Sequence, residues 1–286
     1  MRLISFEADG LARAGVLDGE VVRDTGLAMS RLLQRGLDRA PAVGELPLSE
    51  VRLLPPVPGP GKIACIGRNY HEHAREQDVE APAEPLVFAK FSSSLIADGE
   101  PIRLSPLTER PDYEAELAAV IGRPARRVSE RDALGHIAGY TVMNDVTARD
   151  LQRADGQWTR AKGLDTFGPM GPALVTPDEV GDPQALRIRC QLNGELVQDA
   201  STGQMIHSVA RLIAHLSQAF TLHPGDVIAT GTPSGVGAFR DPPRFLQPGD
   251  IVRCEVERVG DVHLGRTCAD DDAELAFPVD LRAARR

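Results

Sequence analysis

Along most of the chain, apolar and polar residues alternate over short runs, and few stretches carry the three-to-four spacing of an amphipathic helix. RLISFEA and RAGVLDGEVVRD alternate around the turn signals ADG and LDG, which predicts short antiparallel strands near the N-terminus. LAMSRLLQRGL follows with helical spacing. Then comes LLPPVPGPGK, a proline- and glycine-rich stretch that marks a boundary. Beyond it KIACIG, PLVFAKF, GYTVMN, LRIRCQLNGELV, GDVIATG and DIVRCEVERVG read as strands, while HEHAREQ and SVARLIAHLSQAF read as helices. Strands outnumber helices and do not alternate regularly with them. That predicts an irregular, mainly β fold of the α+β class, not a doubly wound sheet. The expected organisation is a small β-rich module over residues 1–57 and a catalytic domain over residues 58–286.

One window resists the pattern. In DYEAELAAVIG, residues 112–122, Tyr113, Leu117, Val120 and Ile121 form a helical stripe, and Ala, Glu and Leu are good helix formers. Read as a strand, the same window puts Tyr113, Ala115, Leu117, Ala119 and Ile121 on one face. Glu114, Glu116, Ala118 and Val120 then share the other. Two glutamates on a buried face repel each other and lose hydration, which demands a cation or strong donors. Periodicity alone leaves both readings open.

Bulk composition narrows the function classes. The net charge of −9 argues against general affinity for nucleic acid or anionic membrane, and the basic clusters near residues 123–127 and at the C-terminus are short. No apolar stretch approaches the roughly 20 residues that span a bilayer. MRLISFEADG meets charge by residue seven and lacks a signal-peptide core, so the expected location is cytoplasmic. Cys65, Cys190, Cys254 and Cys268 are widely spaced, without a CxxC pair, as befits reduced thiols. Only Lys62, Lys90 and Lys162 are lysine among 32 basic residues.

Three stretches carry candidate chemistry. GYTVMNDVTARDLQ reads as a strand running into a helix, with Thr147 and Asp150 in capping-box spacing and Asp145 at the junction, as a ligand or as a turn residue. Arg149 and Gln152 share the face of that helix. GRNYHEHAREQ places His73 and Glu76 at i and i+3, where a carboxylate can orient an imidazole base. ATGTPSGVG is a glycine-rich turn after a strand; it lacks the spacing of a phosphate loop but can offer Thr232 and backbone N–H groups to a ligand. His136, His207, His215, His223 and His263 have no partner pattern, and Trp158 reads as packing.

Taken together, GRNYHEHAREQ, FAKFSSSL, DYEAELAAVIG, GYTVMNDVTARDLQ, AKGLDTFGPMGP and GDVIATGTPSGVG resemble the fumarylacetoacetate hydrolase family, in its order, from about residue 62 to 237. The similarity continues through QPGDIVRCEVERVG, while the first 57 residues match loosely. The resemblance implies a mixed β-sandwich roll and a homodimer. It implies that Glu114, Glu116 and Asp145 bind a divalent cation, Mg²⁺ or Mn²⁺, with the E-x-E pair on a strand. It further implies that His73 and Glu76 activate water on a short lid helix. Arg149, Gln152 and Lys162 would hold a small 2-oxo acid substrate, with Lys162 in the catalytic set and Thr232 lining the site; Lys90 receives no role. The expected reaction is hydrolysis of a carbon–carbon bond in a 2,4-dioxo acid such as an acylpyruvate, giving pyruvate and a carboxylic acid. The alternatives on the same metal site are decarboxylation of a 2-oxo dicarboxylate, or dehydration or hydrolysis of a sugar-derived 2-keto-3-deoxy acid.

Overall fold

The computed structural model describes residues 1–269, without the side chains of Arg39 and residues 263–266; the C-terminal basic cluster and the His263 side chain lie outside what is described. The ambiguous window is a strand, Ala115–Ile121, and every residue in it is buried. Ala115, Leu117, Ala119 and Ile121 pack with Ile188, Cys190, Val252 and Cys254 into one core. Ala118 and Val120 pack on the other side with Leu3, Met29, Leu32, Leu33 and Ile63. A strand buried on both faces has no polar face to alternate with, which is why its sequence reads as an unbroken apolar run.

This strand is central to a 12-stranded sheet. It pairs antiparallel with Ile137–Asn144 on one side and with Val227–Ala229 on the other. Val227–Ala229 pairs in parallel with Ile63–Gly67, and Leu86–Lys90 closes that edge. In the other direction Gly168–Val175 bridges to Arg2–Ala8, so the N-terminal strands extend the same sheet through the pairing Leu3↔Leu174. A five-stranded sheet, ordered Glu195–Ser201, Arg187–Leu192, Val252–Val256, Gly260–Ala269 and Pro101–Leu104, lies against the first core. The fold is the expected mainly β mixed roll, with short helices at its margins.

Three helices fall where the spacing predicts, at Met29–Arg35, His71–Glu76 and Val209–Ala219, the last opened by Ser208, whose side chain accepts from Arg211 N–H. The four-residue helices Glu130–Ala133, Thr159–Lys162 and Pro177–Val180 are too short to carry a spacing signal. The expected capping box does not form. Thr147 lies in a two-residue strand and its hydroxyl donates to the Asp145 carbonyl, while the helix Arg149–Asp155 starts after Ala148 without a side-chain cap. Asp150 instead accepts from Thr108 Oγ1 and from the Glu109 and Leu151 N–H groups.

One buried amide ties the two sheets together. Gln198, 1% exposed, accepts from Ala115 N–H at 3.0 Å and donates to Thr232 Oγ1 and the Pro233 carbonyl, both at 2.8 Å. Gln198→Leu keeps the volume but orphans these groups, at about 1–3 kcal/mol for each one left buried and unpaired. The denaturant midpoint of this variant is expected to fall clearly below the parent's; an unchanged midpoint would show that the amide does not join the sheets energetically.

Candidate active site

Register builds the acidic centre. Ala115 pairs with Asn144 and Glu116 with Met143, so the residues just outside the ladder, Glu114 and Asp145, come side by side. Asp145 N–H donates to the Glu114 carbonyl, and Glu114 N–H donates to Asn144 Oδ1, each at 2.9 Å. Carboxylate oxygens of Glu114, Glu116 and Asp145 lie within 4.8 Å of one another, and all three residues are buried. Such crowding is unfavourable unless positive charge is near.

Two lysines and an arginine supply part of it. Lys162 Nζ lies 2.7 Å from Glu114 Oε2 and 2.6 Å from Asp145 Oδ2. Lys90 Nζ donates to Asp145 Oδ1 at 2.8 Å and also bonds the Val146 and Lys162 carbonyls. Arg149 Nε donates to Asp112 Oδ2 at 2.8 Å; its Nη2 lies 2.6 Å from Glu114 Oε1 but is not aligned on it as a hydrogen bond. Burial alone would lower Lys162, but Asp145 and Glu114 outweigh it and raise the ammonium above its ordinary range. Burial likewise pushes Glu114 up, yet Lys162, Arg149 and His73 bring it down to about 2.

Glu116 is the exception. It accepts one backbone N–H, from Gly231 at 2.8 Å, and among the described residues no cation lies in ion-pair range of it. Burial, then the charges of Asp145 and Glu114, hold its carboxyl well above the ordinary range. Four buried carboxylates, counting Asp112, thus face three buried or nearly buried cations. A hard divalent cation fits this all-oxygen set and would supply the missing charge; each carboxylate oxygen already bonded to lysine keeps a second lone pair.

The dyad is assembled as the spacing suggests. His73 Nδ1 lies 2.5 Å from Glu76 Oε1, and Glu76 Oε2 accepts from Gly235 N–H at 2.9 Å, which fastens the short helix to the glycine-rich turn. A Cβ on Gly235, where φ is +101°, would meet the Val197 carbonyl oxygen at 2.1 Å, so the turn requires glycine. His73, Glu114, Glu116, Arg149, Gln152, Lys162 and Thr232 line one cavity of about 450 Å³. Asp145 and Glu76 stand behind it, through Lys162 and His73 respectively. Gln152 Oε1 accepts from Arg149 at 3.1 Å.

Several contributors escaped sequence reasoning. Asp112 accepts from the N–H groups of Tyr113, Gly237 and Ala238 besides Arg149, and so anchors the far end of the glycine-rich turn. Its only signal was its place at the head of DYEAE. Lys90 joins Asp145 to the Lys162 carbonyl, and Trp158, expected as packing, lines the cavity edge-on to Phe88 at 5.3 Å. Gln77 and Arg68 also line it.

Residues 62–264 match the family model described as fumarylacetoacetate (FAA) hydrolase C-terminal. This chain belongs to the fumarylacetoacetate hydrolase family. It is 44% identical over 283 residues to oxaloacetate tautomerase FAHD2B, mitochondrial, of Bos taurus, covering 91% of this chain and 90% of that protein. To the protein of the same name in Homo sapiens it is 51% identical over 217 residues, covering 75% and 69%. A solved 5-carboxymethyl-2-hydroxymuconate delta-isomerase from Mycobacterium smegmatis superposes with a TM-score of 0.81 at 36% identity, covering 94% of this chain and all of that one. The expectation of a cytoplasmic protein is overturned by these relatives, which are named as mitochondrial. The lack of an apolar leader core said nothing about a mitochondrial address, because such segments are amphipathic.

Removing one ligand charge is expected to lower Mn²⁺ affinity by about tenfold or more in Glu114→Gln, Glu116→Gln and Asp145→Asn, read by calorimetry. In the presence of chelator at neutral pH the order reverses for Glu116→Gln, which should melt above the parent because the uncompensated carboxylate is gone. Unchanged Mn²⁺ binding in all three variants would remove the trio as a metal site.

Proposed function

We propose that this protein interconverts the enol and keto forms of a 2-oxo dicarboxylate of the oxaloacetate kind. The observation that carries this reading is a second set of cations. Arg68, Arg110 and Arg153 line the same cavity, and among the described residues no carboxylate pairs with any of them. One end of a substrate engages Lys162 and Arg149 beside the acidic trio, and guanidiniums without a carboxylate partner remain for a second carboxylate. The mitochondrial relatives are named as oxaloacetate tautomerases, in keeping with that chemistry.

Tautomerisation is a balanced proton transfer. His73 takes the proton of the 2-hydroxyl; that O–H pair closes the C2=O double bond, and the C2=C3 pair takes the same proton back from the imidazolium at C3, so that in reverse His73 removes the C3 proton. Glu76 holds the imidazole with its Nδ1 proton inward and Nε2 toward the cavity. Thr232 accepts from Gln198, so its own O–H is free to donate into the cavity. Glu114, Glu116 and Asp145 would hold Mg²⁺ or Mn²⁺, which supplies positive charge for the oxyanion developing on the 2-oxygen.

The same dyad supports a second reading, the hydrolysis of an acylpyruvate, in which His73 takes a proton from water attacking the distal carbonyl. A homodimer is proposed as well. Leu86 and Val87 on the sheet's edge strand and Phe91 just beyond it are exposed apolar residues, an edge that monomers usually protect.

The reaction is tested by following loss of the oxaloacetate enol absorbance, with Mn²⁺ present and the uncatalysed rate subtracted, alongside mass analysis of acetylpyruvate products. We expect tautomerisation with the higher kcat/KM. His73→Asn should slow it by about 10²–10⁴-fold while Mn²⁺ affinity holds. Efficient release of acetate and pyruvate, with the enol rate at background, would hand the site to the hydrolytic reading.

A further inference from the structure

The imidazole of His73 is held at both nitrogens. Besides Glu76 on Nδ1, the side-chain amide of Gln77 places its nitrogen 2.8 Å from His73 Nε2. That amide is itself oriented, because Gln77 Oε1 accepts from Arg68 Nε at 2.9 Å. A guanidinium only donates, so the atom facing Arg68 is the oxygen and the NH₂ faces the ring. An amide NH₂ only donates too, so His73 presents the lone pair of Nε2 to it, and the ring proton sits on Nδ1. The lone pair that must accept the substrate's proton is the one Gln77 covers. Arg68 lies 5.5 Å over the Trp158 ring and lines the cavity together with Gln77 and His73.

We propose that Gln77 is a positioning residue that keeps the base covered until a carboxylate of the substrate engages Arg68. This rests on the reading of His73 as the base. A carboxylate that takes the Nε edge of the guanidinium in the bidentate manner makes two bonds between opposite charges, where the neutral amide oxygen of Gln77 accepts only one. The released amide then loses the partner that aims it at the imidazole, and Nε2 is uncovered. A 2-oxo acid without a second carboxylate still reaches the acidic trio but meets a capped base. Discrimination between the two therefore appears in kcat, with binding at the remote end used to free the reacting group.

The test compares oxaloacetate with 2-oxobutanoate, which carries a methyl group in place of the second carboxylate, by exchange of C3 hydrogen for solvent deuterium in the Mn²⁺-loaded enzyme. In Gln77→Met, kcat for 2-oxobutanoate should rise about 2- to 10-fold, the range set by one neutral hydrogen bond, with KM unmoved. The oxaloacetate-to-2-oxobutanoate ratio of kcat should shrink accordingly. Arg68→Met should raise KM for oxaloacetate but not for 2-oxobutanoate, and should raise kcat for 2-oxobutanoate as Gln77→Met does, because the amide loses the partner that aims it. A readout free of turnover is the ¹⁵N resonance of His73 Nε2 in the Mg²⁺ form. It should move toward that of an unbonded imine nitrogen in Gln77→Met, and move the same way in the parent when malonate is added. If the resonance moves in Gln77→Met while the kcat ratio stays at the parental value, the covering role is overturned. So it is if malonate leaves the parent's resonance in place. His73→Asn is assayed in parallel: full exchange activity there overturns the base reading itself, whereas loss of activity with an unaltered Gln77→Met ratio removes only the proposal about Gln77.

Discussion

Three carboxylates in a buried pocket repel one another, and the rest of the site is arranged around that repulsion. Lys162 bridges Glu114 and Asp145, Lys90 takes the other oxygen of Asp145, and Arg149 stands between Glu114 and Asp112. Among the described residues, Glu116 alone of the three is left with a single backbone donor. The compensation is therefore incomplete by design of the pairing pattern, and the shortfall sits on a strand whose both faces are packed. Relief by sliding the strand is closed off, because a one-residue shift would exchange its two apolar faces and bury the wrong set. Relief by a bound cation is open.

Because the strand cannot move, the groups that hold it also hold the chemistry. Gln198 bonds Ala115 N–H and the Thr232 hydroxyl at once. Asp112 gathers Arg149 and the Gly237 and Ala238 N–H groups. Glu76 joins the His73 helix to Gly235. The glycine-rich turn is thus pinned at three points, to the acidic strand through Asp112, to the second sheet through Gln198 and to the imidazole helix through Glu76. Buried polar networks of this kind are stable only when every member is satisfied, so a change in one corner is felt at the others.

Much of this was legible in the sequence, and the exceptions have physical causes. Alternation located the outer strands, and helical spacing located the helices at Met29–Arg35 and Val209–Ala219. The central strand was not legible from period, since burial on both faces erases the alternation that marks a strand. Glu114, Glu116 and Asp145 stood out as carboxylates in apolar surroundings, but their meeting depends on the Ala115↔Asn144 register, which no local window contains. Gln198 and Asp112 act through partners 83 and 37 residues away, and carry no motif of their own. Thr147 and Asp150 had the right spacing for a cap, yet Thr147 was drawn into a strand pair with Asp112, a tertiary claim that outranks a local one.

What the acidic trio cannot do is choose a reaction. Enolate chemistry at a 2-oxo acid underlies tautomerisation, hydrolysis and decarboxylation alike, and the same carboxylates would serve each. On the proposed reading, the choice falls to groups around the rim of the cavity, where a nitrogen lone pair is either available or covered and a second carboxylate is either held or not. Arg68, Gln77 and His73 form a chain of single hydrogen bonds there, each of modest strength. On the proposed reading, links of that sort suit a selective element, because a second carboxylate can compete for Arg68 where a methyl group cannot. The centre, cross-braced by Lys162, Lys90 and Arg149, is built to stay fixed. Selectivity has to reside in the part of the site whose bonds can be exchanged.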